Sequence, residues 1–393
     1  MKFPDLAHLR QLQKELWKWP KSRAALMVGA GFSLNATPHA GVTAKFPTWR
    51  ELSRAMFDEM HPAAPTETPA DEKTREERFN RASPLRIASE YEAALGREKL
   101  NRLIREQNPD SDFQPGPLHH LLLELPWADV FTTNYDTLLE RADVPGRNYQ
   151  AVLKADELPA SFAPRIVKLH GSFPSQTPFI ISEEDYRTYP RRFAPFVNTV
   201  QQALLENSFV LIGFSGDDPN FLEWTGWIRD ELGGYHAPIY LVGPLSLGIA
   251  DRQLLENRGV TPIDLAPLFL GVPSDQVHQN AIEWFLKCLA AARPPRPDQW
   301  PRFAVSQATD PAELPPIIGA FERAPEDVSF APNLQSPLTN ETVLKAVSRW
   351  QFERIRVTNP VWQWLKGRLN CGNVRMFFGG PLSRLWASIR RRG

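Results

Sequence analysis

The chain has 393 residues, with 45 Lys plus Arg offset by 45 Asp plus Glu, eight His and only two Cys. A net charge of zero excludes a surface that is wholly a polyanion footprint, and two thiols, Cys288 and Cys371, cannot build a disulfide framework or a four-cysteine zinc site. No apolar run approaches the roughly 18 to 20 residues that span a bilayer and the mixed N-terminus is not signal-like, so a soluble, cytoplasmic protein is the expectation.

Leu6, Leu9, Leu12 and Leu16 stand at helical spacing before Pro20, which predicts an amphipathic helix for the domain surface or an oligomer contact. Residues 24–28 (AALMV) are an apolar run stopped by Gly29, the pattern of a buried parallel strand. Thr48 and Glu51 form a capping-box signature that opens a helix to Met60. Residues 61–82 are polar, Pro-rich and charged, and predict an exposed loop. Helical patterns occupy about 83–107 and 117–125, after which strands and helices alternate. Strands are expected over 128–132, 165–169, 209–213, 238–242 and 260–265, with helices near 137–142, 182–206 and 218–232 and after each of the last two strands. This alternation predicts an α/β fold, a Rossmann-like doubly wound parallel sheet with a helical insertion at about 50–125.

Proline, at 37 residues, is nearly double a typical usage of about 5%. Ten prolines fall within the fifty residues 291–340, which predicts a linker over 293–340 between a domain of residues 1–292 and a C-terminal extension. Residues 341–393 carry eleven Lys or Arg against two Glu, together with Trp350, Trp362, Trp364 and Trp386. That segment suits assembly or partner docking, or a small helical cap with a solvated basic face; a nucleic-acid contact is the least expected of its uses.

In a parallel α/β sheet, ligands bind outside the carboxyl ends of the strands, near the point where strand order reverses. Four turns follow four of the expected strands: Gly29-Ala30-Gly31-Phe32-Ser33, Thr133-Asn134-Tyr135-Asp136, His170-Gly171-Ser172 and Gly213-Phe214-Ser215-Gly216-Asp217-Asp218. The first has the mechanics of a phosphate cradle, in which glycines admit close backbone approach and N–H groups with a Ser hydroxyl donate to a pyrophosphate. Leu34 replaces the third glycine of the full dinucleotide fingerprint, so a bare turn explains this segment as well. Taken singly, Asn134 and Asp136 could be a turn and a helix cap, His170 a hydrogen-bonded core histidine, and Ser215 and Asp217 the cap of the next helix. Their joint placement at strand ends favours a site. No His-Glu-x-x-His, Walker lysine or Gly-x-Ser-x-Gly elbow occurs, which excludes zinc-hydrolase and P-loop ATPase readings.

The ordered set GAGFS (29–33), TTNYD (132–136), KLHGS (168–172) and GFSGDDPNF (213–221) resembles the sirtuin-like fold over about residues 20–290, and within it the bacterial effector branch of anti-phage defence systems. The resemblance implies NAD as substrate and cleavage of its nicotinamide–ribosyl bond. It implies that Gly29, Ala30, Gly31 and Ser33 hold the pyrophosphate, that Phe32 covers the nicotinamide ribose, and that Asn134 orients ribose hydroxyls or an attacking water. Asp136 would contact the carboxamide, His170 would be the ribose-facing base, and Gly213 and Ser215 would reach phosphate or ribose from across the cleft, with Asp217 a looser counterpart. Deacylating sirtuins carry a four-cysteine zinc ribbon and a Pro-Asp-Phe-Arg element, whereas this chain has no cysteine before Cys288 and reads Pro47-Thr48-Trp49-Arg50. Both departures favour water as the acceptor, hence an NAD glycohydrolase without zinc. Protein deacylation and a non-catalytic NAD or ADP-ribose sensor are the alternatives. The resemblance also implies activation by homo-oligomerisation or by a partner, a HerA-like ATPase or another defence component.

Overall fold

The computed structural model describes residues 3–18, 21–64, 66, 68–174, 178–214 and 219–294. The chain divides into two units, Met1–Ala292 and Arg293–Gly393. Apart from residues 293 and 294, the expected linker and basic segment lie outside the described residues, as do Ser215 and Asp217.

Seven parallel strands form one sheet: β1 (Ala24–Val28), β4 (Val130–Thr132), β5 (Gln150–Val152), β6 (Arg165–Lys168), β7 (Ser208–Ile212), β8 (Ile239–Gly243) and β9 (Val260–Asp264). Their spatial order is β5-β6-β4-β1-β7-β8-β9, and the two-residue strands β2 (Thr37–Pro38) and β3 (Phe113–Gln114) make a separate antiparallel pair. Register is tight at the centre, where Val28 lies beside Thr132 on one side and Ile212 on the other. Chain order reverses at β1, so β1 and its neighbours define the crevice in which such sheets bind ligands.

Around the sheet lie α1 (Leu6–Leu16), α2 (Trp49–Met60), α3 (Pro69–Arg81), α4 (Pro84–Leu95), α5 (Arg97–Gln107), α6 (Pro117–Glu124), α7 (Leu138–Arg141), α8 (Glu183–Arg192), α9 (Ala194–Glu206), α10 (Pro219–Leu232), α11 (Ile249–Asn257) and α12 (Ser274–Ala291). Alternate strand residues point to opposite faces. Leu26, Val28, Val130 and Ile212 therefore pack with α1, α6 and α12, while Met27, Phe131, Val167 and Leu211 pack with α8, α9 and α10. A sheet covered on both faces needs strands apolar throughout, and every residue of β1, β7 and β8 is buried. Each fully buried aliphatic or aromatic side chain here contributes about 1.5–3 kcal/mol.

Helices α2 to α5 build a satellite core from Met56, Phe57, Phe79, Ile87, Tyr91 and Ile104, closed by Phe173, Phe179 and Ile181 from the segment after β6. The loop expected over 61–82 is corrected here, because residues 69–81 are the helix α3. Its start is a second capping box: the Thr68 hydroxyl accepts from Asp71 N, the Asp71 carboxylate accepts from Thr68 N, and Pro69 occupies the first turn. Composition hid the helix because Phe79 is its one buried residue. Tertiary contacts supply the rest, with Arg54 of α2 bonding Glu76 at 2.6 Å and lying 3.5 Å above the Phe79 ring. The helical stretch 83–107 is two helices, broken at Gly96 with φ of +86°. The edge strand β5, only three residues long, has no sequence counterpart among the expected elements.

Candidate functional site

The turn after β1 and the turn after β7 touch backbone to backbone. Gly29 N donates to Ile212 O at 2.9 Å and Gly31 N to Gly213 O at 3.1 Å. A Cβ on Gly29 would fall 2.5 Å from Gly213 O, and Gly213 itself has φ of +77°, so glycine at these positions is required by close approach and by a left-handed backbone. Past Gly29 the chain forms a 3-10 turn, Ala30–Asn35. Ala30 is exposed at its tip, whereas Phe32 and Ser33 turn inward.

Three sequence candidates meet beneath that turn. The Asn134 side-chain amide donates from Nδ2 to Gly29 O at 3.1 Å and to Ser33 Oγ at 3.0 Å. Ser33 Oγ in turn donates to Asp136 Oδ2 at 2.7 Å, and Asp136 Oδ1 accepts from Leu138 N at 3.2 Å, starting α7. Because a carbonyl oxygen such as Gly29 O only accepts, Nδ2 must face it, and this fixes the amide orientation. Asn134 Oδ1 is then left buried with no hydrogen-bond partner. The turn is anchored further by Thr132, whose hydroxyl donates to Val28 O at 2.9 Å and accepts from Asn134 N at 3.1 Å.

Ser33 and Phe32 both have defined surroundings in this structure. The Ser33 hydroxyl donates to Asp136, so Ser33 links Asn134 to Asp136. Phe32 is fully buried in the main core, edge-on to His119 with ring centroids 4.9 Å apart. The reason for both is the 3-10 turn, which rotates these side chains under the loop while Ala30 remains outside.

His170 follows β6, the strand next to β4. Its ring packs edge-on against Tyr186 and Tyr189 of α8, at 5.4 and 5.5 Å, and its backbone oxygen accepts from Ile180 N. Loss of hydration on burial pushes its pKa down to about 3, against a small opposing pull from Asp185. It is therefore a neutral imidazole at physiological pH.

The sequence reading assigned no role to Lys168 or Glu140. Lys168 ends β6 with its ammonium buried, donating to the Asp136 backbone oxygen and lying 3.1 Å from Glu140 Oε1 of α7. The available signal was a lysine set between apolar residues near the end of a strand, in Ile166-Val167-Lys168-Leu169. Among the described residues no cluster of three or more His, Cys, Asp or Glu side chains could hold a metal ion. Apart from the site, a groove of about 400 Å³ lies at the amino ends of the strands, between Lys21, Asp129, Arg165 and Glu206.

Residues 128–263 match the SIR2-like domain family. Among curated proteins, the NAD(+) hydrolase ThsA of Acinetobacter baumannii (strain 532279) is 31% identical over 204 residues, covering 50% of this chain and 37% of that protein. Defense-associated sirtuin 2 of Bacillus subtilis is 27% identical over 164 residues, covering 40% of this chain and 16% of its own length. The chain thus spans well under half the length of these relatives. A crystal structure of a Sir2 homologue in complex with NAD aligns with 72% of this chain and 94% of its own, at 14% identity and a TM-score of 0.36, a distant likeness.

Proposed function

We propose that this chain, which carries a SIR2-like domain over residues 128–263, hydrolyses NAD to nicotinamide and ADP-ribose as an effector of anti-phage defence. The observation that carries the reading is Asn134 Oδ1, a buried acceptor with no partner, held in place at the carboxyl ends of β1 and β4. A buried acceptor without a donor costs about 1–3 kcal/mol, and a ribose hydroxyl or the attacking water supplies the missing donor. The names of the relatives, NAD(+) hydrolase and defence-associated sirtuin, support the same reading.

Nicotinamide departs from a cationic pyridinium as a neutral molecule, so no general acid is required, in contrast to ordinary glycoside hydrolysis with its carboxylate pair. Water adds to the anomeric carbon as the C–N bond breaks, and the balance is NAD plus water giving nicotinamide, ADP-ribose and one proton. Asn134 orients the oxygen nucleophile or the ribose. His170, neutral because it is buried, can accept a hydrogen bond and adds no positive charge beside the cationic nicotinamide ring. The Gly29 and Gly31 backbone, brought against Gly213, shapes the wall along which the pyrophosphate lies. Cys288 and Cys371 are the two cysteines of the sequence, too few for the zinc-ribbon architecture of protein deacylation. Silence before infection requires a trigger, and we assign it to self-assembly or to a partner such as a HerA-like ATPase acting on the cytoplasmic protein.

The test is nicotinamide release from NAD by the purified full chain, alone and with the products of its neighbouring genes. Asn134→Ala and His170→Ala are each expected to lower turnover by about 100-fold or more, with thermal melting showing a folded protein. NAD binding without nicotinamide release in any assembly state would sink the hydrolase reading and favour a sensor. O-acyl-ADP-ribose from an acylated peptide would favour deacylation instead.

A further inference from the structure

The Lys168–Glu140 pair sits directly under the Asn134–Asp136 turn, and its construction is unusual. Lys168 is 1% exposed. Its ammonium donates to the backbone oxygen of Asp136, the residue whose carboxylate accepts the Ser33 hydrogen bond. Register places Lys168 beside Thr132, which anchors the start of the same turn. The counter-charge comes from Glu140, 3.1 Å away, yet both Glu140 oxygens are buried without a well-aligned hydrogen bond. Desolvation raises the Glu140 pKa, Lys168 opposes this, and the Asp136 charge adds to it.

Such a pair is a poor way to gain stability. The desolvation of two charges can exceed their attraction, and replacement of a buried pair by apolar residues is often neutral or stabilising. What the ammonium does supply is a fixed donor to one particular carbonyl. The two flanking backbone groups are held as well: Tyr135 O accepts from Phe173 N, and Thr137 N donates to Asp110. Lys168 holds the group between them.

We infer that Lys168, with Glu140 as its counter-ion, is a positioning pair that locks the Asn134–Asp136 turn and so presets the Ser33–Asn134–Asp136 network, without either side chain touching substrate. The inference rests on the NAD-hydrolase reading for its kinetic consequence. Its structural consequence, the rigidity of residues 132–137, does not depend on that reading.

The experiment uses the full chain and three measurements: kcat and KM for nicotinamide release, thermal melting, and amide hydrogen exchange over residues 132–137. Lys168→Met is expected to lower kcat by about 100-fold, as an ångström-scale misplacement does. KM is expected to stay within about threefold, since uniform binding is kept, and exchange in the turn is expected to accelerate. The double variant Lys168→Met/Glu140→Leu removes both charges; melting should return toward wild type while kcat stays low and exchange stays fast. Glu140→Gln, which keeps shape and polarity, should retain more turnover than Glu140→Leu. Recovery of kcat together with melting in the double variant would overturn the assignment, as would unaltered exchange of the turn in Lys168→Met. Should the wild type release no nicotinamide in any assembly state, the functional reading fails, and the exchange and melting measurements still decide the positioning role.

Discussion

Strand β6 carries a cation at each end, and the two are held in different ways. At the amino end, Arg165 bonds Asp129 through Nε at 3.1 Å, through NH2 at 2.6 Å and through its own backbone N at 2.9 Å. Every oxygen of that carboxylate is used, and both side chains keep partial contact with solvent. At the carboxyl end, Lys168 is sealed from solvent against a carboxylate whose oxygens lack aligned donors, and Asn134 Oδ1 nearby has none. The amino end is thus a completed structural joint, while the carboxyl end stores unsatisfied polar groups. Natural folds leave such groups where a ligand or a reaction needs them. The difference explains why the polar groove at the amino ends is not the better site candidate: its central charges, Asp129 and Arg165, are already paired with each other.

The most severe way to break this contrast is to separate the turns that frame the carboxyl end. In Gly213→Ala the new Cβ would lie 2.6 Å from Phe32 N and 2.8 Å from Gly29 O at a φ of +77°. A loss of about 3 kcal/mol of stability is expected, read by denaturant unfolding, together with loss of nicotinamide release. The opposite end should behave otherwise. Asp129→Ala strands the Arg165 guanidinium and its backbone N–H, and should lower stability by about 2 kcal/mol, yet leave kcat of the folded protein unchanged. A kcat loss there would erase the distinction between the two ends.

A further effect is a pH dependence centred on the carboxyl side. His170 and His119, the latter packed on Phe32, are both pushed down to about 3, chiefly by burial. A histidine whose folded pKa lies below its unfolded value of about 6.5 contributes stability that is complete above that value. The contribution drains as pH falls, because the unfolded chain takes up the proton and the folded one does not. Each histidine should therefore remove about 1.4 kcal/mol per pH unit between roughly pH 6 and 4. Unfolding midpoints across that range should show a shallower slope in His119→Gln, by one proton's worth.

Much of this architecture is legible in the linear chain. The six strands that carry apolar runs, the Thr48 capping box and the sharp stop at Gly29 are local facts, written in residue type and spacing. The candidate residues Asn134, Asp136 and Gly213 stood out because they follow such strands. Helix α3 was not, since its signal was four residues of capping chemistry inside a stretch whose composition is that of a loop. Edge strand β5 was missed because three residues carry too little periodicity to register. Phe32 and Ser33 were placed in the right turn, but their direction depends on a 3-10 geometry that residue type does not specify.

The sequence by itself determined the parallel sheet, the order of its glycine and amide turns, and the shortage of thiols that disfavours a zinc ribbon. Only the tertiary structure decided which of those turns face one another, that Ser33 bridges Asn134 and Asp136, and that Lys168 reaches under them from the neighbouring strand. The reason is physical: hydrophobic periodicity is set by neighbours along the chain, whereas the satisfaction of a buried polar atom depends on partners about a hundred residues away.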